Sequence, residues 1–248
     1  MIAVRLDQRL VADGLAPSRA RAQALIRAGR VLVDDAPVDK PGTRVQDGAR
    51  VRVRGDARRF VSRGGEKLAG ALRDLAIDPR GLACLDVGAS TGGFTDCLLR
   101  AGAARVVAVD VGYGQLDYAL RTDPRVGVLE RTNARHLAPA DVPGPIDLVT
   151  IDVSFISATR LLPRLTELAP AADFLVLVKP QFEVGPGHVG KGGVVRDDGL
   201  REEAVARVRA CGEAQGLHFA GRAESQLPGP KGNREVFLWL RRASGASA

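Results

Sequence analysis

From residue 63 onward, short apolar runs alternate with amphipathic stretches, and no other feature of the sequence constrains the fold as strongly. The candidate strands are 83–87, 105–110, 126–129, 146–152, 174–179, 218–223 and 236–240, and helical patterns over 91–100, 157–169 and 198–215 separate several of them. Alternation of this kind predicts an α/β domain, a parallel sheet with helices on both faces, because parallel neighbours must be joined by helix-length crossovers. Ligands of such sheets lie beyond the carboxyl ends of the strands, so reactive residues are expected just after each strand. The 248 residues suffice for one such core and a small appendage.

Charge marks the appendage. Residues 1–63 hold 14 Arg or Lys against 7 Asp or Glu, and the remainder holds 22 of each, so the whole net charge of +7 lies in the first quarter. A basic unit beside a neutral one suits a polyanionic partner. Arg outnumbers Lys by 31 to 5, which weakens any argument from one Arg but does not explain the segregation. Leu6 and Leu10, four apart, fit one face of a short helix over 4–10, and a second helix runs from an N-cap at Ser18 to Gly29. On a helical wheel Arg19, Gln23, Arg27 and Arg30 share one sector, while Ala22, Leu25, Ile26 and Gly29 share an apolar one. A row of guanidiniums suits the phosphates of a folded nucleic acid. Residues 31–33 and 51–53 read as short strands, with a turn at Asp34-Asp35.

Arg5-Leu6-Asp7, Ser18-Arg19, Ala22, Ile26, Gly29 and Val31-Leu32-Val33 together resemble the S4-like RNA-binding domain, over residues 4–54. The resemblance implies a small α+β unit that binds structured RNA, with Arg5, Arg19, Arg27 and Arg30 as candidate contacts. Residues 55–62 are short and polar and read as a linker, in which Arg58 and Arg59 would extend the RNA track. The expected organisation is therefore a domain over 1–54, a linker over 55–62 and a larger domain over 63–248.

Several classes are excluded. A hydrophobic share of 45% with 26% charged residues is that of a globular chain, not a disordered one. No apolar stretch approaches 18 residues, and the N-terminus lacks signal-peptide character. Cys84, Cys97 and Cys211 form no C-x-x-C pair, so a reducing cytoplasm is the expected setting. His136, His188 and His218 show no metal-ligand spacing, and no metal is expected.

The first crevice is Leu85-Asp86-Val87-Gly88-Ala89-Ser90-Thr91-Gly92-Gly93-Phe94. Glycines that open a helix let a ligand approach the backbone. The spacing is Gly-x-x-x-Gly-Gly, not the dinucleotide-binding Gly-x-Gly-x-x-Gly. A carboxylate at Asp86 would repel a pyrophosphate but could hold the ammonium of a methionine moiety, which fits S-adenosylmethionine better than NAD. Asp110, ending the next strand, is placed to accept both ribose hydroxyls. The expected cofactor set is Asp86, Gly88, Ala89, Ser90, Gly92, Gly93, Phe94 and Asp110, with Asn133 either reading the adenine edge or serving as an ordinary turn residue. Asp152 and Lys179 end the next two strands and are expected to face each other across the crevice. In so Arg-rich a chain a Lys there favours a chemical role, since Lys can give up its proton and Arg effectively cannot. Lys67 opens the helix before the first strand, and Glu235 opens the last strand.

Residues 62–240 resemble the FtsJ-type ribose methyltransferases. The whole chain resembles the TlyA (haemolysin A) family of ribosomal RNA 2′-O-methyltransferases, through the strings 62–68, 85–95, 109–116, 152–157, 178–184, 189–197 and 231–237. The resemblance implies a Rossmann-like domain that uses S-adenosylmethionine, a Lys-Asp-Lys-Glu tetrad at Lys67, Asp152, Lys179 and Glu235, and as substrate the cytidine ribose of 16S or 23S rRNA, or both, free or in ribosomal subunits. Lys179 would take or share the proton of the attacking 2′-hydroxyl, or only position it. Asp152 would orient Lys179, Lys67 would hold the hydroxyl or a nearby phosphate, and Glu235 would orient a lysine. The glycine-rich stretch 185–193 reads either as a mobile lid or as a plain connector, and Phe155 and Phe182 either stack on a base or pack in the core.

Rival functions are a base methyltransferase, a membrane-active haemolysin and a non-catalytic RNA-binding assembly factor. Asp152-Val153-Ser154-Phe155 is not the Asn/Asp-Pro-Pro-Tyr/Phe of amine methylation, and no cysteine sits in a strand-end loop as cytosine-5 chemistry needs.

Overall fold

The structure is a computed structural model that describes residues 3–16, 18–54, 59–190 and 192–242. Half of the expected linker (55–58, with Arg58) and the small-residue tail 244–248 lie outside the described residues. The chain divides into two compact units, residues 1–59 and 60–248.

The first unit is β1 (Ala3–Arg5), α1 (Leu6–Ala12), α2 (Arg19–Arg27), β2 (Val31–Val33), β3 (Ala36–Val38), β4 (Arg44–Gln46) and β5 (Val51–Val53). The expected first helix starts later than its apolar spacing indicated: Val4 and Arg5 extend to pair antiparallel with β4, and the helix begins at Leu6. Ser18 caps α2, its side chain accepting from the Arg21 amide. Gly29 follows the helix in the left-handed region at φ 65°, so Arg30 lies past the helix rather than on its wheel. Asp34 and Asp35, both at positive φ, form the two-residue turn of the β2–β3 hairpin. Leu6, Leu10, Ala22, Ile26 and Val31 are wholly enclosed and form the core of this unit.

The second unit contains α3 (Arg63–Asp74), β6 (Ala83–Val87), α4 (Gly93–Arg100), β7 (Arg105–Val109), α5 (Tyr118–Arg121), β8 (Val126–Leu129), β9 (Leu148–Ile151), α6 (Leu162–Leu168), β10 (Asp173–Val178), α7 (Pro180–Glu183), α8 (Asp198–Ala214), β11 (Leu217–Glu224) and β12 (Val236–Arg242). Its seven strands lie in the order β11-β12-β10-β9-β6-β7-β8. The pairs within β10-β9-β6-β7-β8 are parallel, while β12 runs antiparallel to both of its neighbours. The reversal has a plain cause: the link between β11 and β12 contains no helix to carry the chain back across the sheet. Helix α6 is shorter than its pattern, because a 3-10 turn at Ala158–Arg160 comes first and Pro163 is tolerated only in the opening turn.

Two hydrophobic clusters sandwich this sheet, one built on Val149, Ile151, Phe174 and Leu162, the other on Leu68, Leu98, Leu175 and Phe237. Strand order reverses between β6 and β9, which creates a crevice at their carboxyl ends.

Candidate active site

The chain places a polar or conformationally special residue immediately past every parallel strand: Gly88 after β6, Asp110 after β7, Glu130 after β8, Asp152 after β9 and Lys179 after β10. Parallel register brings these positions to one edge of the sheet.

Gly88 has φ 89°, and a Cβ there would collide with the Asp152 carbonyl. Only glycine permits the close approach of the β6 loop to the end of β9. Gly93 opens α4 against the start of α3, where a Cβ would strike the Ser62 hydroxyl. Phe94 turns away from the crevice: its ring is buried and lies 5.9 Å from that of Phe237.

Asp86 is the fourth residue of β6, and its side chain is wholly enclosed. Thr95 Oγ1 donates to Oδ2 at 2.7 Å and Thr150 Oγ1 to Oδ1 at 3.1 Å. Burial pushes this carboxyl up to about 7; the Asp152 charge acts in the same direction, and the two hydroxyls oppose it. Asp86 thus fastens α4 to β9 beneath the loop.

Asp110 accepts from the Ser90 amide at 2.8 Å and the Gly112 amide at 2.6 Å. Beside it lies a shallow recess, open to solvent and lined by Ala89, Ser90, Ala108, Asp110, Gly112, Gln115, Leu116, Val128 and Glu130. Glu130 and Gln115 were not singled out from the sequence, although Glu130 follows its strand as Asp110 follows β7. The Arg121 guanidinium, 2.5 Å from Glu130 Oε1, holds that carboxyl below its ordinary range. Asn133 is not part of this lining; its Oδ1 accepts from the Arg135 amide and caps the 3-10 turn Ala134–His136.

The four charged residues form two ion pairs. Lys179 Nζ lies 2.6 Å from Asp152 Oδ1 and donates to Ser154 Oγ at 3.1 Å. Lys67 Nζ donates to Glu235 Oε2 at 2.5 Å, both residues being buried. The antiparallel register pairs Val178 with Val236, so one step further sets Lys179 opposite Glu235. Phe155 stands at the rim, 93% exposed with φ 68°, its ring 5.4 Å from that of Phe182. The stretch 185–193 includes a 3-10 turn at Pro186–His188.

The first unit carries its own polar centre. Asp7 is wholly enclosed and accepts from Arg5 at 3.0 and 3.1 Å, from Arg19 at 3.0 Å and from Gln23 at 2.9 Å. The Arg5 guanidinium foremost holds its carboxyl far below the usual range. Arg5 and Arg19 stay 41% and 53% exposed, so Asp7 fixes two arginines that still face solvent. Arg30 donates to the Arg54 carbonyl, and Arg27 and Arg59 are exposed. Among the described residues no cluster of His, Cys, Asp and Glu could hold a metal, and no helix is long and apolar enough to cross a membrane.

Residues 60–242 match the FtsJ-like methyltransferase family and residues 4–51 the S4 domain. Over 96% of its length the chain is 55% identical to the 16S/23S rRNA (cytidine-2′-O)-methyltransferase TlyA of Mycobacterium tuberculosis, covering 89% of that protein. It is 41% identical to Hemolysin A of Brachyspira hyodysenteriae, over 94% of this chain and 97% of that one. A solved structure described as "Putative hemolysin from Streptococcus thermophilus" superposes with a TM-score of 0.75 at 37% identity, over 99% of this chain and 90% of the other.

Proposed function

The chain belongs to the TlyA (hemolysin A) family of FtsJ-like methyltransferases, and from that membership we propose that it uses S-adenosylmethionine to methylate the 2′-hydroxyl of a cytidine ribose in ribosomal RNA. One observation carries the reading: the Asp152–Lys179 ion pair at the ends of β9 and β10, with Glu235 and its partner Lys67 beside it. Two Lys–carboxylate pairs at a strand-end crevice suit the activation of a hydroxyl.

The recess beside Asp110 fits the cofactor. Ala89, Ser90, Asp110 and Glu130 would hold its nucleoside end, and the backbone from Gly88 to Gly92 leaves room for its methionine end. When bound, the group supplies an electrophilic methyl on a sulfonium. The protein aligns the target hydroxyl with it, and alignment of this kind supplies much of the acceleration in such transfers. Lys179, held by Asp152 and Ser154, is the group that meets the hydroxyl: as the ammonium it positions the oxygen, and only as the neutral amine, after giving up a proton, would it receive the hydroxyl's proton. Lys67, anchored by Glu235, holds the hydroxyl or the adjacent phosphate. Phe155, exposed beside the Asp152 loop, offers a face on which the base of the target nucleotide stacks. The basic first unit, with Arg5, Arg19, Arg27 and Arg30, grips the surrounding RNA, and the exposed Arg59 adds a further guanidinium. An rRNA substrate sets the work in the cytoplasm, on free RNA or a ribosomal subunit.

The test is transfer of labelled methyl from S-adenosylmethionine to unmodified rRNA and to ribosomal subunits, comparing the wild type with Lys179→Ala and mapping the label. Label on a cytidine ribose, lost in the variant, is the expected result and identifies the subunit. Label on a base overturns the ribose assignment. No label on any RNA despite cofactor binding removes the rRNA reading in favour of a binding or assembly role.

A further inference from the structure

We infer that Asn233 is a positioning residue whose buried amide ties the backbone at Gly193 and Val195 to the entry of β12, and so holds Glu235 against Lys67. The activity arm of its test rests on the methyl-transfer reading above; the structural arm does not.

Asn233 is 2% exposed and uses both ends of its amide. Its Oδ1 accepts from the Val195 amide at 2.9 Å, and its Nδ2 donates to the Gly193 carbonyl at 2.8 Å. A side chain with an acceptor and a donor on one carbon satisfies two backbone groups of opposite polarity; a carboxylate satisfies only the first and repels the second. Val195 is itself buried, so the tie lies inside the protein, where an unmade hydrogen bond is costly.

Asn233 lies two residues before Glu235. Its own carbonyl accepts from the Gly229 amide at 2.9 Å, and Gly232 N–H closes onto the Gly229 carbonyl at 2.8 Å. Gly229 packs so closely on Glu235 that a Cβ there would run into Oε1. That Oε1 is buried and has no hydrogen-bond partner among the described residues, while Oε2 receives Lys67. A carboxylate held through one oxygen takes its orientation from the walls around it. Here those walls are the 229–233 loop, and the described contact that locks this loop to the segment following the active-site strand β10 is the Asn233 amide. Release of that lock lets Glu235 rotate and loosens Lys67.

The test uses the full chain with Asn233→Ala and Asn233→Asp. Three quantities are read: amide hydrogen exchange at Val195 against the core amide of Val208, the 13C resonance of the Glu235 carboxyl, and kcat and KM for rRNA methylation. In Asn233→Ala the Val195 amide should exchange at least tenfold faster with Val208 unchanged, the Glu235 resonance should move, and kcat should fall at least tenfold with KM within twofold. Asn233→Asp keeps the acceptor for Val195 and should retain most of that protection, with an intermediate kcat. Faster exchange at Val195 with an unmoved Glu235 resonance and full kcat overturns the inference. So does parallel loss of protection at Val208 in both variants, which marks a general packing role. A wild type that transfers no methyl defeats the methyl-transfer reading instead, and the Glu235 resonance then decides the inference alone.

Discussion

Thr95 donates its hydroxyl to Asp86 at 2.7 Å in a part of the protein that water does not reach, so the loop over the crevice is fastened from below by a carboxyl and not by apolar packing alone. With its partner Thr150 on β9, the bond links the opening turn of α4 to the strand that delivers Asp152. Removing one donor by Thr95→Val leaves a buried carboxyl oxygen unsatisfied and should destabilise the protein by about 1–3 kcal/mol. Urea denaturation of the variant measures it.

The same carboxyl gives stability a defined pH dependence. Asp86 has its folded value raised to about 7, well above that of an unfolded aspartate. Below about pH 4 both states hold the proton and the full stability is present. As pH rises to 7 the unfolded chain releases its proton while the folded one keeps it, so stability falls, by on the order of 4 kcal/mol in total. Asp86→Asn carries no titrating proton and should flatten this part of the melting profile between pH 4 and 7. Asp7 acts with the opposite sign: its value is lowered by Arg5, so its contribution is present above the unfolded value and disappears as the solution is made acid.

The Lys67–Glu235 pair is enclosed, and its two members should not respond alike to single and double replacement. Lys67→Met or Glu235→Leu leaves one buried charge unpaired and should cost about 3–5 kcal/mol of stability. The double replacement should recover most of that loss, because two apolar groups need no partner. Methyl transfer should stay abolished in all three. Recovered activity in the double variant would reduce the pair to a structural bond.

Gly88→Ala sets a Cβ against the Asp152 carbonyl at a φ of 89°. The strained backbone costs on the order of 1–3 kcal/mol, and its relief moves Asp152. Methyl transfer should drop at least tenfold while RNA affinity is unchanged, a split that initial-rate kinetics and filter binding resolve.

In the first unit Arg27 has an exposed side chain and makes no hydrogen bond or ion pair among the described residues. Arg27→Ala should weaken RNA binding uniformly across sequences and lower the salt dependence by about one counterion. Asp7→Asn should loosen Arg5 and Arg19 together, with a larger loss of affinity than Arg27→Ala although Asp7 itself carries the charge that repels RNA. Titrations at several salt concentrations distinguish the two.

The sequence made the sheet readable because the central strands are largely apolar and all but β6 are followed at once by a charged residue. Asp110, Asp152 and Lys179 could be found for that reason, and the same rule would have found Glu130. The hydrogen bonds of Asp86 were not legible, because they depend on two threonines, Thr95 and Thr150, contributed by other elements. The direction of β12 was hidden for a different reason: a strand's own residues do not tell parallel from antiparallel. Only the missing helix between β11 and β12 does so. The role of Asp7 was hidden as well, since three partners at positions 5, 19 and 23 converge on it only after α1 and α2 pack.

Strand β12 lies between β10 and β11, although it is made after both. A chain cut short before residue 235 would therefore lose more than one strand. Strand β10 would become an open edge of apolar residues, β11 would have no neighbour to join, and Lys67 would remain without its carboxylate. Such a product is expected to aggregate, not to survive as a weakened enzyme. For a gene of this kind, a stop codon just before β12 is then as severe as an early one.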